Sequence, residues 1–384
     1  MIARLAVTAA AAALVCASVA QADVPVTARG DRLVVLPPHR AVRAGAARFQ
    51  LDAPVPARPF AEMRQSDPLQ GYVSTPPLVL DDGSLVVGVS SPPGVVWVQA
   101  DGHVRASTRL DERPAGELTS GSDGRVFVSN EGGRIVWVVA PDGTVRGTLP
   151  AEPTTTPVQG PIVRDDGSVV VVANGGTAGV VSFFSPSGER VASRSLSVRT
   201  SSGALGLDGC VWLLGSGGAS CLDANGSLHD APFGRGANAV VPISTGALAL
   251  VLGTEVQIRT PAGELLGRTN LRAPALWVAP LPSGGVAALR TNPSPELVLL
   301  GADAAVVARI PLSAGVGVRF LGVLSDRDGA LVGVTNIGVI TAYDPDGTER
   351  WHVDTRLHFE RAPVPLRGGG FVIALSQGGL LFVR

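Results

Sequence analysis

The 384-residue chain contains no lysine; all 31 of its basic residues are arginine. Without lysine there is no amine for a Schiff base, no phosphate-loop lysine and no cofactor held as a lysine aldimine. Charge of either sign is sparse at 16%, and 31 arginines against 32 acidic residues leave a net charge of −1. Composition therefore carries no electrostatic footprint for nucleic acid or an acidic membrane. Aromatic residues make up only 4%, too few for the exposed stacking rings that carbohydrate and single-strand nucleic-acid platforms need. The five histidines (His39, His103, His229, His352 and His358) are scattered without zinc-ligand spacing, and the three cysteines include no adjacent pair. Past the N-terminus no uninterrupted apolar run reaches the length of a membrane span.

What is present begins with an address. Met1 to Ala22 carries one charge, Arg4, then a mostly alanine apolar run, then Ala20-Gln21-Ala22 before Asp23. This three-part pattern is that of a secretory signal with an A-x-A site, which predicts cleavage after Ala22 and a periplasmic or secreted mature chain. Lipidation at Cys16 is disfavoured because Leu14-Val15 stands where a small residue is required.

The body is a repeat. A tight turn followed by a β-branched run recurs at Asp82-Gly83, Asp123-Gly124, Asp166-Gly167, Asp208-Gly209, Thr245-Gly246, Ser283-Gly284, Asp328-Gly329 and Gly368-Gly369. These anchors stand about 41 residues apart, and a second turn follows each of the first seven: Asp101-Gly102, Asp142-Gly143, Ser187-Gly188, Asn225-Gly226, Ala262-Gly263, a degraded Ala302-Asp303, and Asp346-Gly347. Each unit thus holds four short strands, since X-Gly supplies the positive φ of tight hairpins and Val/Leu/Ile runs make buried strands. Near-equal four-stranded units of this length predict an all-β, eight-bladed β-propeller.

The count also predicts how the ring closes. After Gly369 only Phe371 to Leu375 and Leu380 to Val383 remain as strands, so the last blade lacks its outermost strand. Leu33 to Arg43 resembles the second half of a unit such as Val96 to Arg105, so the missing strand is expected from the N-terminus, within Arg32 to Leu51. Pairing the two ends would remove an exposed edge. The expected organisation is a signal peptide over 1–22, a closing strand and connection over 23–75, and blades over 76–384.

The best-preserved unit contains Ala342, Asp344, Gly347 and Trp351 in the spacing A-x-D-x-x-G-x-x-x-W. This matches the blade-docking motif of the pyrroloquinoline-quinone-type repeat, in which the tryptophan packs between neighbouring blades. The chain therefore resembles the quinoprotein-like propellers over residues 76 to 384 as a pattern, with the full motif once. That resemblance implies two functions. Quinone-dependent dehydrogenases of this type hold quinone and calcium over the channel, often against a disulfide between adjacent cysteines. Their cofactor-free relatives, including the propeller subunit of the outer-membrane β-barrel assembly machinery, bind protein partners. With no adjacent cysteines, the chain is more similar to the second group.

Residue by residue, no chemistry-bearing constellation emerges. Asp344-Pro345-Asp346-Gly347 resembles the opening of a calcium loop, but strand residues follow where further ligands are needed, so it reads as turn chemistry. Glycine-rich stretches at Gly203–Gly206 and Gly215–Gly218 lack the strand-to-helix context of a nucleotide fingerprint. The five tryptophans, Trp97, Trp137, Trp212, Trp277 and Trp351, read as packing residues between blades. The expectation is no catalytic, cofactor or metal residue, and a monomeric protein-interaction scaffold whose loops bind a protein partner of the cell envelope. A ligand-binding or catalytic propeller, either a quinone-dependent dehydrogenase or a lactonase-like hydrolase, is the alternative.

Cys210 and Cys221 are the cysteines left after signal removal. A hairpin turning at Gly215-Ser216 would place them directly opposite, within reach of a disulfide. Two buried free thiols, or a metal or redox role, are the other readings.

Overall fold

The structure is a computed structural model. It describes residues 51–384 apart from short stretches, the longest being 132–134, 151–155, 158–160, 291–294 and 313–317, together with two short strands near residue 30. The expected signal peptide, residues 1–22, lies outside the described residues. Among the described residues there is no helix, and none that could cross a membrane.

Eight antiparallel sheets form the ring. Seven follow one another as simple meanders, from blade 1 (Leu78–Val79, Leu85–Ser90, Pro93–Val98, Val104–Arg109) to blade 7 (Phe320–Ser325, Leu331–Thr335, Val339–Tyr343, Glu349–Asp354). In blade 3 the inner strand comes in two pieces, Thr156–Pro157 and Ile162–Val163, both paired with Val169–Gly175. Blade 8 is composite. Its three inner strands are Val364–Pro365, Phe371–Leu375 and Gly379–Val383, and its outer strand is Met63–Gln65, paired antiparallel with Leu381–Val383.

Closure by an N-terminal strand is as the repeat count requires, but the strand differs from the expected one. Met63–Gln65 lies beyond the window Arg32 to Leu51, most of which falls outside the described residues. The physical reason is that an outer strand needs only a free backbone and the right register. Met63, Arg64 and Gln65 are all exposed, so no apolar pattern marked them.

The repeat turns have one construction. All eight anchor glycines have φ between 77° and 106°. Each donates its N–H to the carbonyl three residues earlier, as Gly83 does to Leu80 and Gly369 to Leu366. A type I turn followed by a residue in the left-handed region bends back into the next strand, which glycine does without a Cβ penalty. The degraded second turn keeps this geometry one residue on: Ala304 has φ 60° and donates to Gly301. The aspartates before the glycines accept the N–H two residues on, as in Ser84 to Asp82 at 2.9 Å and Thr348 to Asp346 at 2.9 Å. These residues are turn formers.

The strands that follow are apolar on both faces because each sheet is sandwiched between two others. Val126 and Val128 pack toward blade 1, while Phe127 joins blade 3 residues Val163, Val169 and Phe184. Trp97, Trp137, Trp212 and Trp351 are all buried.

Candidate functional site

The meander gives the ring two unlike faces. First and second turns of every complete blade emerge on one face; the middle hairpins and the connections between blades emerge on the other. On the turn face, blades 1 to 3 are each tied to the next through backbone carbonyls in the neighbour's second turn. Arg105 donates to Pro141 O, Thr108 to Gly143 O, Arg125 to Pro186 O, and Arg164 to both Asp223 O and Ala224 O. Burial depresses the pKa of the Arg164 guanidinium, yet these carbonyls satisfy two of its nitrogens.

Blade 8 has no second turn, since its outer strand belongs to another part of the chain, and residues 51–62 fill the gap. Leu51 N–H donates to Ser325 O and Val55 N–H to the buried Asp326 carboxylate, both in blade 7. Asp326 also accepts from Ala330 N–H and Asp328 N–H, so this buried carboxylate is fully engaged in holding strap to turn.

The motif residues meet at this place. Arg350 joins Asp344 in an ion pair and donates to Val55 O at 2.5 Å. The Trp351 indole donates to Pro56 O at 2.8 Å and stands edge-on to Phe60, whose ring also meets Phe371 edge-on. Ala342 is buried in the strand opposite Trp351, and Gly347, at φ 89°, abuts Ile310 and Ala308 of blade 6. Sequence reasoning did not foresee the strap; its signal was Pro54, Pro56, Pro59 and Phe60, a rigid extended run ending in one aromatic anchor.

Cys210 and Cys221 form a disulfide with Cα atoms 5.7 Å apart. The register differs from the expected one. Gly215 pairs with Gly218 and Trp212 with Cys221, so Cys210 is a diagonal neighbour of Cys221 and not its direct partner. The correction is one of two residues in register. A shift of two keeps both side chains on one face of the sheet, whereas a shift of one would have parted them.

No described set of three His, Cys, Asp or Glu side chains converges as metal ligands. His103, His229 and His352 each sit on the surface beside one carboxylate, Asp67, Asp223 and Glu349 respectively. Among the described residues no serine or cysteine is hydrogen-bonded to these rings. Glu296 is held in its ionised form: burial raises its pKa, but hydrogen bonds from Arg290 and Arg309 outweigh that and lower it overall. A cavity of about 520 Å³ lies between the strap and the first turn of blade 8, lined by Pro54, Pro56, Phe60, Arg58, Arg367 and Arg384. No general base or nucleophile lines it.

Solved structures share this ring. Quinohemoprotein alcohol dehydrogenase ADHIIG from Pseudomonas putida HK5 superposes with a TM-score of 0.62 at 12% identity, covering 90% of this chain and 80% of that one. The likeness is one of fold. The computationally designed protein Ika8 gives 0.63 at 11%, covering 83% of this chain and 98% of its own. Virginiamycin B lyase from Staphylococcus aureus, a catalytically inactive form with quinupristin, gives 0.51 at 13%, covering 84% and 99%. No family model and no curated protein matches the chain.

Proposed function

We propose that this chain is an exported, non-enzymatic β-propeller that acts as a monomeric protein-interaction scaffold in the cell envelope, without a quinone cofactor. In this reading a signal over 1–22 is cleaved after Ala22, residues 23–75 close the ring, and 76–384 form the blades. One observation carries the reading. The aspartates that a catalytic or calcium-binding propeller would direct at a ligand are engaged instead by backbone N–H groups in turns and by the strap. The same bonds make the ring rigid, so presenting a surface to a partner costs little ordering entropy. The disulfide in blade 4 is in keeping with an oxidising compartment.

The quinohemoprotein likeness favours the second reading, a ligand-binding or catalytic propeller. One experiment separates them: add pyrroloquinoline quinone and calcium to the mature protein and follow absorbance and dye reduction with alcohols. The scaffold reading expects neither stoichiometric binding nor turnover, and in-envelope cross-linking that captures a discrete protein partner. Turnover would establish the dehydrogenase reading.

A further inference from the structure

We propose that the outer wall of blades 8, 1, 2 and 3 docks an acidic, extended segment of a partner protein. This deepens the scaffold reading and rests on it, by naming the surface and the chemistry of the partner. The net charge of −1 hides a separation that the fold makes visible. The outer strands of these four consecutive blades are Met63–Gln65, Val104–Arg109, Val145–Pro150 and Arg190–Leu196. They hold Arg64, Arg105, Arg109, Arg146, Arg190 and Arg194 and no carboxylate. Each strand also exposes one large apolar side chain, Met63, Val104, Val145 or Val191, the last at 69%.

The opposite wall is different. Leu228–Asp230, Leu265–Asn270, Val306–Pro311 and Glu349–Asp354 carry arginines 268, 309 and 350 balanced by Asp230, Glu349 and Asp354. Arg309 and Arg350 are further tied to Glu296 and Asp344.

On the arginine wall the ion pairs among the described residues sit at the turn end. Asp82 and Asp142, on the turn face, approach Arg105 at 3.9 Å and Arg146 at 3.4 Å. Arg109 and Arg194 are exposed further along their strands, with no carboxylate at ion-pair distance among the described residues. The strand edges offer free backbone N–H and C=O groups as well. An extended acidic segment laid along such an edge would pair with those groups, bring carboxylates to the guanidiniums and cover the single valine. A bilayer fits less well, because the acidic turn face adjoins the exposed valines; nucleic acid would find no aromatic ring in these strands to stack on.

The test uses the mature protein and a fluorescein-labelled peptide of about ten residues alternating Glu and Thr, read by anisotropy at low salt. A Lys-Thr peptide serves as control, and phosphatidylglycerol vesicles as the membrane arm. The expected result is saturable binding of the acidic peptide alone, about tenfold weaker in R109E/R194E at unchanged melting temperature, and altered less than about twofold by Arg268→Glu on the opposite wall. No saturable binding, an equal loss at Arg268→Glu, or vesicle binding abolished by R109E/R194E while peptide binding persists would each overturn the proposal. A cross-linked partner whose capture survives R109E/R194E keeps the scaffold reading and removes this wall from it.

Discussion

Blades 5 and 7 treat one position of the outer strand in opposite ways. Four residues after the second-turn glycine, blade 5 has Gly267 and blade 7 has Trp351. A Cβ on Gly267 would overlap the backbone carbonyl of Asp303, because the second turn of blade 6 rests directly on that spot. Thr269 then ties the turn down by donating to Ala304 O at 2.5 Å. Blade 8 has no such turn to offer its neighbour, and Trp351 fills the space while its indole binds the strap at Pro56. Blades 1, 3 and 6 follow blade 5 with a small residue, Ala106, Ala192 and Ala308, at this position, whereas Gly147 of blade 2 has open space beside it. The missing tryptophans therefore mark blades docked turn onto strand, and the retained one marks the seam of the ring.

The comparison breaks most severely if the seam is removed. A chain lacking residues 23–66 loses the outer strand of blade 8, the strap and the hydrogen bonds that Leu51 and Val55 donate and that Val55 and Pro56 accept; aggregation or loss of a cooperative melt is expected. A truncated chain that melts like the mature protein would contradict the composite blade. Next, Trp351→Ala should cost about 3–5 kcal/mol by denaturant titration, as deletion of a buried indole does. Trp351→Phe should cost less, mainly the orphaned Pro56 carbonyl at roughly 1–3 kcal/mol. If Trp351→Phe were as stable as the parent, the indole N–H would have no part in holding the strap. Breaking Cys210–Cys221 by paired alanine substitution should lower stability by roughly 2–3 kcal/mol for so short a loop, and maleimide should find no free thiol in the denatured, unreduced protein. On the other side of the comparison, Gly267→Ala should cost about 1–3 kcal/mol, since a backbone carbonyl must move. A neutral result there would mean that the blade 6 turn does not press on the strand.

Much of this ring was legible because its periodicity is written in glycine and aspartate. Eight anchors with positive φ cannot be disguised, and even Ala304 holds the turn that its missing glycine would have made. The seam was legible as a need but not as a place. Closure demanded a strand, yet Met63–Gln65 carries neither alternation nor β-branched residues, and the strap is recognisable only by what it touches. The disulfide was legible in its face though not in its register, because parity depends on even shifts while pairing depends on each residue. The separation of charge around the wall could not be read from net charge at all. It arises when strands about forty residues apart are laid side by side.

The smallest expected effect sharpens a difference among the turns themselves. Blades 1 to 3 build their first turn on Asp82, Asp123 or Asp166, whereas blades 5 and 6 use Thr245 and Ser283. The Ser168 hydroxyl beside Asp166 holds its carboxyl below the usual carboxylate range against the opposing effect of burial, with further help from the Ser168 N–H and the nearby Arg164 charge. Asp142 is lowered likewise, first by the Thr144 N–H. A folded-state pKa below the unfolded value means that the contribution is present above the unfolded carboxylate pKa of about 4 and is lost as pH falls through the lower, folded value. Melting temperature should therefore be flat near neutrality with respect to these groups and decline below about pH 4. Asp166→Asn keeps the Oδ1 acceptor and removes the titration, so its melting curve should lie within about 1 °C of the parent near pH 7 and converge with or exceed it near pH 3. Thr245→Ala has no carboxylate to remove and should shift the curve by the same amount at both pH values. Equal acid sensitivity in the parent and Asp166→Asn would assign the decline to other carboxylates and leave this turn without a share in it.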